Sequence, residues 1–383
     1  MLKMVFQTTA SMIIERGAAT RLAEHVQAMG CTSVLVVTDA GVIAARLLDA
    51  VLASFENSPV AVRVFSQVQA DPPESVIQIA VDVAKACAAD CVLGLGGGSS
   101  LDVAKLVALL ACSGEGLAEV YGINQAKGPR LPLILVPTTA GTGSEVTPVS
   151  VVTTGEGQKN VVYSPLLLPD LAILDAELTL GLPPHVTAAT GIDAMVHAVE
   201  AYTSKDLKNP ISDCLAREAL RLLSTSLFKA CQDGSNLQAR ENMLLGACLA
   251  GMAFANSPVA AVHALAYPLG AHFHVPHGLS NALVLGPVMR FNLEAGAPLY
   301  AQLADIVLPG LSGSDREKAM ALADYLGALA GELGLATRLR DLGITESDIE
   351  LLVTDAMKQT RLLGNNPRPV REQDVRAIYR GIL

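Results

Sequence analysis

Short β-branched runs alternate with helical patterns through the first half of the chain and then almost vanish. The strand candidates are Val34–Thr38, Val60–Phe65, Cys91–Leu95, Leu131–Pro137, Val149–Thr154 and Leu171–Leu174. Between them, helical periodicity covers Ala18–Met29, Val42–Phe55, Glu74–Ala88 and Leu101–Ala111. Alternation of this kind predicts a mainly parallel sheet covered on both faces by helices. The change comes at Leu178-Thr179-Leu180-Gly181-Leu182-Pro183-Pro184, where two prolines precede a new pattern. Ala/Leu-rich helical segments follow: His185–Tyr202, Ser212–Ala230, Gln238–Phe254, Asp315–Leu333 and Glu346–Lys358. The expectation is an α/β domain over 1–180 and an all-helical domain over 181–383. That count suits 383 residues at roughly 100–200 per domain, and a cleft between domains is the default place for ligands.

Charge narrows the partners. A formal net charge of -10 attracts neither phosphate backbones nor anionic membranes. The seven cysteines are odd in number and form no C-x-x-C pair, so they read as small buried thiols in a reducing compartment. The N-terminal MLKMVFQTTASMIIERG reads as a strand rather than a signal peptide. No apolar stretch reaches the roughly 18 residues of a membrane span. A soluble, cytoplasmic protein is expected.

Two loops carry candidate ligand chemistry. The run Gly94-Leu95-Gly96-Gly97-Gly98-Ser99 leaves a predicted strand and enters a predicted helix at Leu101-Asp102. Consecutive glycines let the backbone approach a ligand, and a helix N-terminus suits a pyrophosphate; a plain glycine turn has the same pattern. The spacing is not the G-x-G-x-x-G fingerprint, and Asp39 comes before the glycines rather than about 20 residues after them. Asp39 ends a strand, where an acid either takes ribose hydroxyls or caps a turn. The second loop, Pro137-Thr138-Thr139-Ala140-Gly141-Thr142-Gly143-Ser144-Glu145, is dense in hydroxyls. Lys159 by itself reads as a surface lysine.

The third feature is a cluster of metal-binding residue types. Asp193 and His197 lie four apart in a helical segment opened by Thr190, so they share one face. A buried carboxylate needs a partner, which a cation or the neighbouring imidazole can supply. His263 stands among small apolar residues, and His272, His274 and His277 follow closely. Carboxylate and imidazole suit divalent first-row metals, with several ligand sets open.

Taken in order, these motifs resemble the iron-containing (group III) alcohol dehydrogenases. The matching residues are Gly96-Gly97-Gly98-Ser99-x-x-Asp102-x-Ala104-Lys105, Pro137-Thr138-Thr139-x-Gly141-Thr142-Gly143-Ser144-Glu145, Gly191-x-Asp193-x-x-x-His197-x-x-Glu200, and His263-Ala264-x-x-x-Pro268-Leu269-Gly270 through Pro276-His277-Gly278. The resemblance covers nearly the whole chain. It implies the architecture shared with dehydroquinate-synthase-like enzymes: an α/β dinucleotide-binding domain followed by an all-helical metal and substrate domain. It assigns the metal to Asp193, His197, His263 and His277, leaving out His272 and His274. It sets Gly97, Gly98 and Ser99 on the pyrophosphate, Thr138, Thr139, Ser144 and Lys159 along the dinucleotide, Asp39 at the adenosine ribose and Phe254 near the nicotinamide. Gly96, Asp102 and Thr142 belong to the same cofactor motifs. The implied cofactors are NAD and a divalent metal, Fe(II) or else Zn(II), in a homodimer. The implied chemistry is hydride transfer between a small alcohol, or its carbonyl, and nicotinamide. One departure stands out: many family members carry a second histidine four residues after the third ligand, where this chain has Tyr267.

Two other functions fit parts of the pattern. A sugar-phosphate cyclase of the dehydroquinate synthase type needs a Lys/Arg cluster around phosphate, yet no Lys or Arg occurs from Ala255 to Val288 before Arg290. A non-catalytic NAD- and metal-binding protein would keep all four ligands and the cofactor loop without turnover. Only 4% of the residues are aromatic and none is tryptophan, so no stacking platform suggests a large ring substrate.

Overall fold

Leu35 and Val37 face one hydrophobic core while Val34 and Val36 face another, as period-two alternation in a doubly covered strand requires. The computed structural model describes residues 4–155 and 158–383. Its strands are β1 (Met12–Ile14), β2 (Ser33–Asp39), β3 (Ala61–Val68), β4 (Cys91–Gly96), β5 (Gly122–Ile123), β6 (Leu133–Pro137), β7 (Val149–Thr154), β8 (Gln158–Tyr163) and β9 (Leu171–Leu174). Its helices are α1 (Leu22–Ala28), α2 (Ala40–Ala44), α3 (Leu47–Phe55), α4 (Glu74–Ala86), α5 (Gly98–Ser113), α6 (Leu117–Val120), α7 (Pro184–Thr203), α8 (Pro210–Gln232), α9 (Leu237–Asn256), α10 (Ala261–Phe273), α11 (His277–Val307), α12 (Asp315–Glu332), α13 (Ile349–Met357), α14 (Thr360–Asn365) and α15 (Glu372–Gly381).

Gln7–Gly181 form one compact unit and Leu182–Leu383, with residues 4–6, another. The first holds a six-stranded sheet ordered β1-β9-β6-β4-β2-β3, parallel throughout, and a smaller sheet ordered β5-β8-β7. Strands β4 and β6 are buried along their whole length, hence their unbroken apolar runs. Helices α4 and α5 supply Ile77, Val81, Leu101 and Leu109 to one face of the sheet. Helices α1 and α3 supply Leu22, Val26, Val51 and Phe55 to the other. Because β2, β4 and β6 are parallel neighbours, Asp39, Gly96 and Pro137 emerge from the same carboxyl edge. That edge is where open α/β sheets place ligands. The second unit is all helical among the described residues.

Several expectations need correction. Val42–Phe55 is not one helix: Arg46 adopts a left-handed conformation (φ 59°) and separates α2 from α3. Helix α5 starts at Gly98 rather than Leu101, so two of the glycine-loop residues belong to its first turn. The N-terminal strand is confined to Met12–Ile14, and residues 1–3 lie outside the described ones. Strand β8 went unread because it opens on Gln158-Lys159-Asn160, and α11 because Pro287 and Pro298 interrupt its 31 residues. The cysteines are free but not uniformly buried: Cys31, Cys91 and Cys248 are, whereas Cys112 and Cys214 are exposed.

Candidate metal centre and cofactor loops

Helix α7 begins with Pro184, where a missing N–H costs nothing. Thr190 therefore does not open it; the residue is interior, and its hydroxyl donates back to the Val186 carbonyl at 2.9 Å. Asp193, His197 and Glu200 follow at spacings of four and three, on one buried face. Gly191, half a turn before Asp193, lets α8 and α9 close in: a Cβ there would lie 2.5 Å from Leu227 and 2.6 Å from Met243. Helix α10 supplies His263 from its first turn, and α11 starts at His277. The next residue, Gly278, explains the Pro-His-Gly run. A Cβ there would stand 2.3 Å from the Ala189 carbonyl oxygen, so α11 packs backbone to backbone on α7.

This packing brings Asp193, His197, His263 and His277 together, with one ligand atom from each all within 4.8 Å of one another. From Asp193 Oδ1, His277 Nε2 lies at 3.5 Å and the Nε2 atoms of His197 and His263 at 4.0 Å. Asp193, His197 and His263 are buried, whereas the His277 side chain is 40% exposed and forms the accessible side of the cluster. Burial pushes the Asp193 carboxyl up, but His197, His277 and His263, with an Asn281 hydrogen bond, hold it below the usual carboxylate range. Phe254 stacks on His197 at 4.3 Å between ring centroids. Tyr267 stands edge-on to His263 at 6.3 Å and tilted toward His277 at 6.0 Å. His272 and His274 stay outside: His272 pairs with Asp355 at 3.2 Å, and His274 caps α10 in a left-handed conformation.

The donor set fits a cation. His263 Nδ1 faces Glu200 Oε2 at 2.6 Å and so carries the proton, which leaves Nε2 as a bare acceptor. The amide nitrogen of Asn281 then faces three candidate ligand atoms at once: Asp193 Oδ1 at 2.6 Å, His277 Nε2 at 3.2 Å and His263 Nε2 at 3.3 Å. Its own Oδ1 is buried without a hydrogen-bond partner. Three candidate ligand atoms crowding one amide, beside an orphaned carbonyl, form a pocket that a divalent cation would satisfy better.

The cofactor candidates gather at the carboxyl edge of the sheet. Gly96 has φ +150°, and a Cβ on it would lie 2.7 Å from Ser100 and 3.0 Å from Asp39 Oδ2. A Cβ on Gly98 would lie 2.8 Å from Thr142, while one on Gly97 would have nothing nearer than Thr139 at 3.5 Å. The loops are thus braced from behind, leaving a cradle at Gly97. Thr138 is buried and its N–H donates to the Gly96 carbonyl at 3.0 Å; Ser99 and Thr139 are half-buried beside it. Asp39 caps α2 through the Val42 N–H at 3.1 Å and accepts from Ser100 at 2.9 Å. Lys159 is held by Asp71 at 2.6 Å and Thr153 at 2.9 Å.

Asp102 and Ser144 meet in a network around a buried lysine. Lys105 is fully buried, and its ammonium meets Ser144 Oγ and the Val149 carbonyl at 2.7 Å, Thr147 Oγ1 at 3.2 Å and Asp102 Oδ1 at 3.3 Å. Asp102 also accepts from Ser144 at 2.6 Å and from the Val151 N–H at 2.9 Å. Burial pulls the Lys105 pKa down and Asp102 opposes it. The group ties α5 to the hydroxyl-rich loop. Sequence reasoning missed Lys105, which reads as an ordinary helical lysine, and gave Glu200 no role. It also missed Asn281, whose signal was its position one turn after His277.

Residues 9–176 match the family described as iron-containing alcohol dehydrogenase, and residues 187–383 match the C-terminal part of the Fe-containing alcohol dehydrogenase family. The long-chain-alcohol dehydrogenase 1 of Geobacillus thermodenitrificans is 43% identical over 368 residues, 95% of this chain and 92% of that protein. A crystal structure of a 1,3-propanediol oxidoreductase aligns with a TM-score of 0.96 at 35% identity, covering 100% of both chains. The sulfoacetaldehyde reductase of Bifidobacterium kashiwanohense, solved in complex with NAD+, aligns with a TM-score of 0.88 at 30% identity, over 100% of this chain and 99% of that one.

Proposed function

The chain belongs to the iron-containing alcohol dehydrogenase family and is an NAD-dependent oxidoreductase of that type, and from that premise we propose its ligands, metal and substrate class. The metal is Fe(II), held by Asp193, His197, His263 and His277. The observation that carries this reading is the convergence of the four ligand atoms within 4.8 Å. Gly97, Gly98 and Ser99 take the pyrophosphate at the start of α5, with the helix N-terminus behind it. Asp39 takes the adenosine ribose and disfavours a 2′-phosphate. Thr138, Thr139, Thr142 and Lys159 line the dinucleotide, while Asp102 and Ser144 hold the loops through Lys105. The unit up to Gly181 thus serves the dinucleotide and the helical unit the metal.

Bound in these sites, the metal supplies Lewis acidity to the substrate oxygen and NAD(H) accepts or returns hydride. The chain's residues do the rest. Asp193 keeps a negative charge among the three imidazoles. Phe254, stacked on His197, is the apolar wall beside the nicotinamide. Tyr267 positions substrate or water, and the proton leaves through water. A relative named for long-chain alcohols and another for 1,3-propanediol support an aliphatic alcohol or diol as substrate. The expected form is a cytoplasmic homodimer; among the described residues no single helix is long and apolar enough to cross a membrane.

The test uses full-length protein stripped by a chelator and reloaded with Fe(II) or Zn(II) alone. NADH formation is read against straight-chain alcohols and 1,3-propanediol. Activity should return with metal, more with Fe(II), and with NAD over NADP. Turnover in metal-free protein would overturn the assignment.

A further inference from the structure

Glu200 is buried at 4% exposure and uses both carboxylate oxygens. Oε1 accepts the Val262 N–H at 2.6 Å, and Oε2 meets His263 Nδ1 at 2.6 Å. These donors belong to the uncapped first turn of α10, where Ala260 offers no side-chain acceptor. A single carboxylate on α7 therefore supplies the missing cap of α10 and fixes the imidazole that the same turn presents. Because Nδ1 donates to Glu200, only one neutral tautomer of His263 is allowed, with its bare Nε2 toward the Asp193 cluster. Charge points the same way. Asp193 and Glu200 are both buried, and among the described residues neither pairs with a lysine or arginine. Two buried carboxylates without a lysine or arginine counter-charge are costly, and a divalent cation at the four-residue cluster brings the local sum to zero.

We infer that Glu200 is a positioning residue of the metal centre, orienting His263 and supplying the second negative charge that balances a divalent ion. The inference rests on the metal reading of Asp193, His197, His263 and His277. It makes Glu200 more than a cap for α10, and the two roles separate experimentally. Glu200→Gln keeps the shape and an acceptor for one donor but removes the charge. Glu200→Asp keeps the charge on a shorter arm.

The experiment measures Zn(II) affinity of the full-length, metal-stripped protein by competition with a chromophoric chelator. NADH affinity and the circular dichroism melt serve as checks on folding. Loss of an outer partner of a metal-bound histidine typically weakens binding by about 10–100-fold, so Glu200→Gln should fall in that range while NADH affinity stays unchanged. Glu200→Asp should recover part of the loss. Equal Zn(II) affinity in wild type and Glu200→Gln would overturn this inference alone; a wild type that takes up no Zn(II) would overturn the metal reading beneath it. A second measurement needs no variant. Imidazole nitrogen resonances of the metal-free wild type should show His263 protonated at Nδ1 and bare at Nε2, and the reverse tautomer would overturn the inference.

Discussion

Ser100 donates a 2.9 Å hydrogen bond to Asp39, joining the end of β2 to the first turn of α5. The Asp39 carboxylate is thereby fixed beside the glycine loop, where, in the function proposed above, it would favour ribose hydroxyls and repel a 2′-phosphate. Asp39→Gly should weaken NADH binding and strengthen NADPH binding. Glycine is tolerated at an N-cap, so the lost bond to Val42 should cost α2 only about a few tenths of a kcal/mol. Fluorescence titration with both nucleotides measures the ratio, and a wild type that binds them equally would remove Asp39 from the specificity argument.

His263→Ala or His277→Ala should abolish activity and metal content while leaving NADH affinity largely intact. The four candidate ligands belong to the helical unit and the glycine loop to the other. Elemental analysis and NADH fluorescence provide the two readouts. An active, metal-free variant would contradict the ligand assignment.

Tyr267 lies one turn beyond His263, with its ring 6.0 Å from that of His277. General acid–base groups contribute about 10²–10⁴-fold. A residue that only positions substrate or water should matter less, so Tyr267→Phe should lower kcat by less than about tenfold. A hundredfold loss with metal and NADH binding unchanged would make the hydroxyl the proton relay.

Gly278→Ala places a methyl group against the Ala189 backbone, which cannot rotate away as a side chain can. Overpacking of this kind costs about 1–3 kcal/mol. Because His277 precedes Gly278, the displacement of α11 should also weaken metal binding. A urea midpoint and a chelator competition on the same variant test both effects, and retention of wild-type values in both would disprove the close contact.

Arg130 grips Asp170 at 2.6 and 3.1 Å, and the Leu133 N–H adds a third bond at 2.8 Å. Burial pushes the Asp170 carboxyl up, but these partners outweigh it and hold it below the usual range. A carboxyl depressed in the fold stabilises above its unfolded pKa of about 3.9, and that contribution is lost as pH falls through the native value. Asp170→Asn should therefore lower the urea midpoint at neutral pH, with the gap to wild type closing below about pH 4. A gap that stayed constant with pH would mean the ion pair contributes nothing.

Much of this molecule was legible from periodicity. β-Branched runs located the buried strands β2, β4 and β6, because strands covered on both faces must be apolar along their length. The spacing of Asp193 and His197 placed them on one helical face. Their meeting with His263 and His277 was beyond local reasoning, since it depends on α10 and α11 packing against α7; the ligand set came from family resemblance. Glu200 was quoted within a motif but stayed silent, because its partners lie 62 and 63 residues away. Lys105 was unreadable for a related reason: an ammonium cannot be known to be buried until the loop at Ser144 and the strand at Val149 close over it.

The single face of α7 that carries Asp193, His197 and Glu200 also fixes how this part of the chain can change in length. Each helical residue turns the next by about 100°. One residue inserted or removed between Asp193 and Glu200 would swing every later side chain on α7 away from those before it. Before His197 the change would part Asp193 from His197; anywhere in the segment it would part Asp193 from Glu200, the residue that meets His263. Chimaeras with relatives must therefore join in strict register across this segment.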